Sequence, residues 1–195
     1  MNSLKFLTDE MCGDINRWLR MLGYDTISPV DHLNPDGTTP NDDEIIKICF
    51  VTHRILISKD VEIIKKMREK SEKKIKTDKE CHSKFEIKQI HETTIFPCLL
   101  LKSTDLKANL SEIKKYYQIL LEYDIDTARC PKCNFHLQKI QNAIDFKELI
   151  PANVYNYHKE FWKCSNFECG QIFWKGTHLE RIIQTLQSIQ KKDFV

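Results

Sequence analysis

The sequence predicts an α/β fold in which a doubly wound parallel sheet is followed by a small cysteine-rich module. Short apolar segments alternate with segments of helical periodicity up to residue 126, a pattern typical of parallel strands joined by helices. Beyond that point, paired cysteines and aromatic residues replace the alternation. We therefore assign residues 1–126 to the sheet domain and residues 127–195 to the cysteine-rich module with a terminal helix.

The chain begins with a strand, a helix and a second strand. Residues 4–8 are rich in apolar side chains and predict the first strand. Apolar residues then recur at helical spacing over residues 11–22, and Gly23 is a typical helix stop. Residues 24–30 are compatible with the second strand, and residues 31–40 form a loop rich in Asn, Pro, Asp and Gly.

The middle of the sheet domain contains its clearest strand. Asn41 and Glu44 have the spacing of a capping box, which predicts the start of a helix. Residues 54–58 contain the apolar run Ile55-Leu-Ile57 and predict a buried strand, closely followed by Asp60 and by a further helix over residues 61–70.

The last elements are predicted from weaker patterns. Residues 85–90 and 95–102 are strand candidates, and residues 110–121 predict an amphipathic helix with Leu120 and Leu121 on its apolar face. After Thr177 the apolar residues again have helical spacing, which predicts a last helix. Its predicted inward face consists of Leu179, Ile182, Ile183 and Leu186.

Composition restricts the class of protein. Hydrophobic residues make up 41% and charged residues 30%, as in an ordinary globular protein. We expect a cytoplasmic protein without a membrane span, because an acid at residue 9 comes before the apolar region of a signal peptide could form and no apolar run approaches about 20 residues. In that reducing compartment, closely spaced cysteines bind metal more often than they form disulfides.

Charge gives little information about a partner. The net charge of +2 does not by itself indicate nucleic-acid binding. Residues 65–91 are crowded with basic residues but also carry acids, so this segment is either a solvated surface or a substrate-binding patch.

Four cysteines form two knuckles in the C-terminal module. Cys130 and Cys133 are separated by two residues, and Cys164 and Cys169 by four. Because zinc prefers four soft ligands in a tetrahedral arrangement, we predict a structural zinc site with these thiolates as ligands. Reduced buried cysteines and a redox pair remain the alternatives.

Acidic residues follow two of the predicted strands. Asp9 and Asp60 stand at the carboxyl ends of strands, and Asp42 and Asp43 open the helix between them. In an open α/β sheet the carboxyl ends of the strands meet in one crevice. Carboxylates that converge there repel one another unless a divalent cation lies between them. Aspartate is equally a favoured helix N-cap, so the pattern alone leaves both interpretations open.

Several segments together resemble one nuclease family. They begin with Phe6-Leu-Thr-Asp-Glu-Met-Cys-Gly13 and the unusually specific run Arg17-Trp-Leu-Arg-Met-Leu-Gly-Tyr-Asp25, and continue with Asp43-Glu-Ile-Ile46 and Ile55-Leu-Ile-Ser-Lys-Asp60. Later in the chain they include Ala128-Arg-Cys-Pro-Lys-Cys-Asn134, the second knuckle, and Phe173-Trp-Lys-Gly-Thr-His178. Their order and content are similar to the Mut-seven C-terminal RNase family, a branch of the PIN-like nucleases with an appended zinc ribbon.

The resemblance implies a PIN-like fold and cleavage of single-stranded RNA with Mg²⁺ or Mn²⁺. By position, it implies that Asp9, Asp43 and Asp60 are the catalytic metal-binding acids, with Asp105 the best candidate for a fourth. The chain departs from the commoner Thr-Arg-Asp, since it carries Ser58-Lys-Asp60, and residues 65–91 are longer than the family pattern.

Two further groups could contact RNA. Arg17 and Arg20 lie three residues apart on the first helix and predict phosphate contacts, with an ion-paired helix surface as the alternative. Aromatic residues flank the second knuckle and either stack on bases or fill a small core, namely Phe161, Trp162, Phe173 and Trp174.

The sequence therefore predicts a ribonuclease with structural zinc and catalytic Mg²⁺ or Mn²⁺. A non-catalytic zinc-ribbon protein that binds RNA or supports an assembly is the alternative, and a thiol-redox protein using Cys130 and Cys133 is a second one.

Overall fold

The computed structural model describes residues 4–78 and 97–190, so the predicted strand at residues 85–90 and Cys81 lie outside the described residues. The strands are β1 (Lys5–Thr8), β2 (Asp25–Ile27), β3 (Ile55–Ser58), β4 (Cys98–Leu100), β5 (Leu137–Lys139), β6 (Phe161–Cys164) and β7 (Ile172–Trp174). The helices are α1 (Gly13–Met21), α2 (Asp42–Thr52), α3 (Val61–Asp78), α4 (Leu106–Tyr117), α5 (Ala152–Tyr157) and α6 (Thr177–Gln190).

The described chain divides into two compact units. The first contains residues 4–16, 26–78 and 97–119, and the second contains residues 17–25 and 120–190. The second half of α1 and the turn after it therefore group with the cysteine-rich part of the chain. The module boundary near residue 126 stays a prediction.

The first unit contains the predicted α/β sheet. Its strand order is β2-β1-β3-β4, and β1 pairs in parallel with β3, which pairs in parallel with β4. The register places Leu7 opposite Leu56 and Ile57 opposite Leu99. From β1 the chain adds β2 on one side of the sheet, and it then adds β3 and β4 on the other side of β1. The direction in which strands are added therefore reverses between β1 and β3. The predicted fold class is confirmed.

Local sequence explains why these elements form. The side chain of Asn41 accepts hydrogen bonds from the N–H groups of Asp43 and Glu44, and Glu44 returns a bond to the backbone of Asn41. The predicted capping box is thus confirmed at the start of α2. The buried face of α2 joins β3 and the first turns of α3 in one apolar core that includes Ile46 and Leu56.

Two predictions about helix faces are wrong. α4 ends at Tyr117 because Gln118 adopts a left-handed conformation, with φ of 52°, so Leu120 and Leu121 lie beyond the helix. On α6, Ile183 is 38% exposed, whereas Ile182 and Leu186 are buried as predicted.

The second unit contains a small antiparallel sheet with strand order β5-β6-β7. Cys164 ends β6 opposite Leu137 of β5, and Phe161 at its other end lies opposite Trp174 of β7. Sheet pairing therefore positions the second cysteine knuckle at one end of the ribbon.

No helix in the described part of the chain is long and apolar enough to cross a membrane.

Candidate functional site

The cysteine knuckles converge on one point. The four sulfur atoms of Cys130, Cys133, Cys164 and Cys169 all lie within 4.8 Å of one another. The separation is 3.7 Å between Cys130 and Cys169 and 3.2 Å between Cys133 and Cys164. A disulfide would require about 2 Å, and a tetrahedral site with Zn–S bonds of about 2.3 Å implies sulfur separations of about 3.8 Å. The donor set and its spacing fit a metal such as zinc.

Backbone N–H groups surround these sulfurs. Burial raises the pKa of Cys130 to about 11, while hydrogen bonds from the N–H groups of Cys133 and Lys132 act in the opposite direction. For Cys164, burial again raises the pKa, and the N–H of Asn166 opposes it. Donors directed at sulfur stabilise the thiolate that a metal ligand must become.

Arg20 supports the first knuckle rather than facing solvent. Its side chain is only 3% exposed, and its Nη1 donates to the carbonyl oxygens of Pro131 at 3.2 Å and Lys132 at 3.1 Å. Its own carbonyl accepts from the N–H of Arg129 at 2.8 Å. Arg17 is exposed, so the two arginines do not share one surface as their spacing suggested. Because the guanidinium of Arg20 is buried and bonded to the knuckle, it is not accessible for the predicted phosphate contact.

The turn after α1 is fixed to the same knuckle. Asn134, which follows Cys133 and has a left-handed φ of 67°, donates its Nδ2 to Asp25 Oδ1 at 2.7 Å. Gly23 has a φ of 86°, and a Cβ there would lie 3.0 Å from the carbonyl oxygen of Thr127. Both the left-handed backbone and this close approach require glycine.

The aromatic residues beside the second knuckle lie in small cores. Phe161 and Trp162 are each 1% exposed, and the Nε1 of Trp162 donates to Asp126 Oδ1 at 2.8 Å. Phe173 packs against the cluster around Trp162, and Trp174 against the cluster around Phe161. Burial of Phe161 and Trp162 contradicts a base-stacking role for these two rings and agrees with the core alternative.

In the sheet unit, Asp9 is the most unusual of the predicted acids. It follows β1 directly and is 8% exposed. Its side chain makes no helix-capping hydrogen bond. Its Oδ2 accepts from the hydroxyl of Ser58, whereas its buried Oδ1 accepts no N–H or O–H bond from the described residues. The buried Cys12 thiol lies against this carboxyl, and burial, followed by the charge of Asp9, raises the pKa of Cys12.

Asp60 lies two residues beyond the end of β3, the strand that pairs with β1. Ser58 Oγ accepts from the N–H of Asp60 at 2.8 Å, so one hydroxyl connects the two acidic residues. Asp60 Oδ1 also accepts from the N–H of Glu62 at 2.7 Å, as a residue capping α3 would. The carboxyl ends of β1 and β3 flank the point where the strand order reverses, which is where open α/β sheets bind ligands.

Asp43 and its neighbour face α3. Asp43 Oδ1 lies 2.6 Å from Lys70 Nζ, and Asp42 Oδ2 lies 2.8 Å from Lys66 Nζ. The hydrogen bond from Lys70, followed by its charge, lowers the pKa of Asp43. Both pairs are solvent-exposed, and such pairs are individually weak.

Asp105, the candidate fourth acid, is the N-cap of α4. Its Oδ1 accepts from the N–H of Ala108 at 2.8 Å, and its own N–H donates to Ser103 Oγ at 3.0 Å. Among the described residues, the four cysteines are the only group of three or more His, Cys, Asp or Glu side chains close enough together to hold a metal ion. The structure thus connects Asp9 with Asp60 through Ser58, and it does not gather Asp9, Asp43 and Asp60 into a cluster of that size.

Sequence reasoning missed Ser58 as well as the partners of Arg20. The signal for Ser58 was present, because a hydroxyl residue two positions before an acid at a strand end commonly bonds the N–H of that acid. Arg20 carried no such signal, since its partners follow more than 100 residues later.

Comparison with known proteins gives one result. The family model described as Mut7-C RNAse domain matches residues 4–186, nearly the whole chain. No curated protein and no solved structure matches the chain.

Proposed function

Because the chain belongs to the Mut7-C RNAse domain family, we propose that it is a ribonuclease that hydrolyses single-stranded RNA with the help of Mg²⁺ or Mn²⁺. The observation that carries the proposal is the carboxyl group of Asp9. Its buried Oδ1 has no N–H or O–H donor among the described residues, only the weakly donating thiol of Cys12 beside the carboxyl, and an acceptor left in this way is costly and uncommon in a folded protein. A bound cation would supply the missing partner of Oδ1.

The chemistry of the site suits a hard divalent cation. Carboxylate oxygens are the ligands that Mg²⁺ prefers, and Asp9 and Asp60 flank the reversal of strand order. Asp43 from the start of α2 is the proposed third acid, and Asp105 stays the candidate for a fourth. When bound, the cation would polarise the scissile phosphate and lower the pKa of a bound water.

The chain's own residues hold the acids and contact the substrate. Ser58 fixes one oxygen of Asp9, and the hydrogen bond from the N–H of Glu62 fixes one oxygen of Asp60. Arg17, exposed on α1, is the proposed phosphate contact. Lys70 neutralises Asp43 in the absence of a cation, and this exposed pair can open at little cost.

We assign the second metal, zinc, to a structural role. Four cysteines complete a tetrahedral shell and leave no open position for substrate or water. Because Arg20 bonds the first knuckle, residues 17–25 keep their position only while the cysteine cluster is ordered. A thiol-redox function would require Cys130 and Cys133 to leave this shell.

A cleavage assay tests the proposed function. Full-length protein is incubated with a panel of single-stranded and duplex RNAs, with Mn²⁺, with Mg²⁺, or with EDTA. We expect the single-stranded RNAs to be cut only when a divalent cation is present. A gel-shift assay on the same RNAs distinguishes the non-catalytic alternative, because binding without cleavage in either cation would overturn the nuclease proposal.

A further inference from the structure

We propose that Ser58 is a positioning residue of the cation site, whose hydroxyl holds Oδ2 of Asp9 and thereby leaves Oδ1 as the oxygen that binds the cation. The inference rests on the proposed function and assigns a role to a residue outside the predicted acids. It follows from the bonds of one buried hydroxyl group.

The bonding capacity of the Ser58 hydroxyl fixes its direction. A serine hydroxyl has one proton to donate and two lone pairs that accept. The N–H of Asp60 uses a lone pair at 2.8 Å, and the carboxylate of Asp9 can only accept. The single proton of Ser58 is therefore directed at Asp9, and both partners of the hydroxyl are satisfied.

The backbone and side chain of Asp9 are fixed by different bonds. Its N–H donates to the carbonyl oxygen of Ile57 at 3.1 Å, which continues the pairing of β1 with β3. Its side chain is held by Ser58, which is fully buried. Rotation of the carboxyl group would break the bond from Ser58, so Oδ1 keeps its position without an N–H or O–H donor from the described part of the chain.

A second Ser-x-Asp segment in the same sheet shows that this bond is not a by-product of the turn. Ser103 lies three residues beyond the end of β4, whereas Ser58 is the last residue of β3, and Ser103 Oγ accepts from the N–H of Asp105 at 3.0 Å as Ser58 Oγ does from that of Asp60. No carboxylate among the described residues accepts from Ser103. The bond to Asp9 is the additional feature at Ser58, and Ser103 provides a matched control.

The test compares variants of the full chain by Mn²⁺ titration. The readouts are the Mn²⁺ concentration that gives half-maximal RNA cleavage, the cleavage rate at saturating Mn²⁺, and the melting temperature with and without Mn²⁺. Ser58→Ala removes the hydroxyl, Ser58→Thr retains it, and Ser103→Ala removes the equivalent turn bond. Residues that orient metal ligands affect metal affinity about 10- to 100-fold, so we expect an increase of that size in the Mn²⁺ midpoint of Ser58→Ala.

The control variants separate positioning from simple stabilisation. We expect Ser58→Thr to restore the Mn²⁺ midpoint and Ser103→Ala to leave it unchanged. A merely structural Ser58 would lower the metal-free melting temperature without moving the midpoint, and that result would overturn the inference. If Ser58→Ala does not fold, Ser58→Cys replaces it, since a thiol is a much weaker hydrogen-bond donor than a hydroxyl.

Asp9→Asn distinguishes failure of the inference from failure of the nuclease proposal. If the wild type itself does not cleave RNA with Mn²⁺, the proposed function is wrong. If Asp9→Asn cleaves as the wild type does, the cation site at Asp9 is wrong, and the role of Ser58 with it. If Asp9→Asn is inactive while Ser58→Ala keeps the wild-type midpoint and rate, only the role of Ser58 is wrong.

Discussion

Arg20 Nη1 donates to the carbonyl oxygen of Pro131 at 3.2 Å, which connects the first helix of the chain to the first cysteine knuckle. The same atom bonds the carbonyl of Lys132 at 3.1 Å, and the side chain is buried. The positively charged guanidinium of Arg20 thus donates hydrogen bonds to two carbonyl oxygens of the turn that brings Cys130 and Cys133 together.

Arg20→Ala should destabilise the unit that contains the cysteines. Loss of hydrogen bonds from a buried charged donor to partly buried carbonyl oxygens costs about 1.5–3 kcal/mol in unfolding free energy. Urea denaturation and the rate of zinc transfer to a chelator measure the effect. Arg17→Ala is the control, since an exposed substitution changes stability by about 0.5 kcal/mol or less. Equal stability of the two variants would contradict this role of Arg20.

Protein purified without chelator should contain one zinc per chain. Cys164→Ser should lose that zinc and unfold the ribbon, because structural zinc contributes directly to folding. Cys49→Ala, which removes a buried thiol far from the knuckles in sequence, should retain the metal. Elemental analysis decides the point, and well under one zinc in the wild type would exclude the predicted site.

Sequence predicted the architecture because periodicity and capping are local. The Asn41 capping box and the buried strand at residues 55–58 are properties of short segments, and both are confirmed. The end of α4 was missed because residues 120 and 121 continue the apolar spacing although Gln118 has already left the helix.

The contacts of the sites were harder to predict than the sites themselves. The knuckle spacing of the four cysteines predicted that they come together, and the structure confirms this cluster as a potential metal site. The partners of Arg20 and the orphaned oxygen of Asp9 depend on residues distant in sequence. No pattern within one segment could reveal them. The catalytic roles of Asp9, Asp43 and Asp60 stay predictions.

The pKa of Asp43 should depend on Lys70. The hydrogen bond and charge of Lys70 lower this pKa below that of an ordinary aspartate, and Lys66 contributes less. Lys70→Ala should therefore raise the pKa of Asp43, and Lys66→Ala should raise it less. In the wild type, the ion pair exists at neutral pH and is lost as the pH falls through the lowered pKa. Carbon-detected NMR titration of the carboxyl group measures it, and an unchanged pKa in Lys70→Ala would contradict the observed pair.

Asp60 distinguishes a helix cap from a cation ligand. Asparagine can still accept from the N–H of Glu62, so Asp60→Asn should leave the metal-free melting temperature nearly unchanged, whereas Asp60→Ala should cost about 1 kcal/mol. If Asp60 binds the cation, Asp60→Asn should also lose most of the stabilisation that Mn²⁺ gives the wild type, since a ligand stabilises only the state it binds. Melting curves with and without Mn²⁺ measure both effects. If Mn²⁺ stabilises wild type and Asp60→Asn equally, Asp60 is a helix cap and not a cation ligand.

RNA cleavage by Asp9→Asn at saturating Mn²⁺ is the most direct test of the proposed nuclease. The substitution preserves the size of the side chain and removes the charge from the carboxyl group whose Oδ1 has no N–H or O–H donor among the residues described. Wild type and variant should both retain one zinc, so that loss of the ribbon is excluded as a cause. We predict that single-stranded RNA is cut by the wild type and remains intact with Asp9→Asn. Cleavage by Asp9→Asn at the wild-type rate would contradict the assignment of Asp9 to a catalytic cation site.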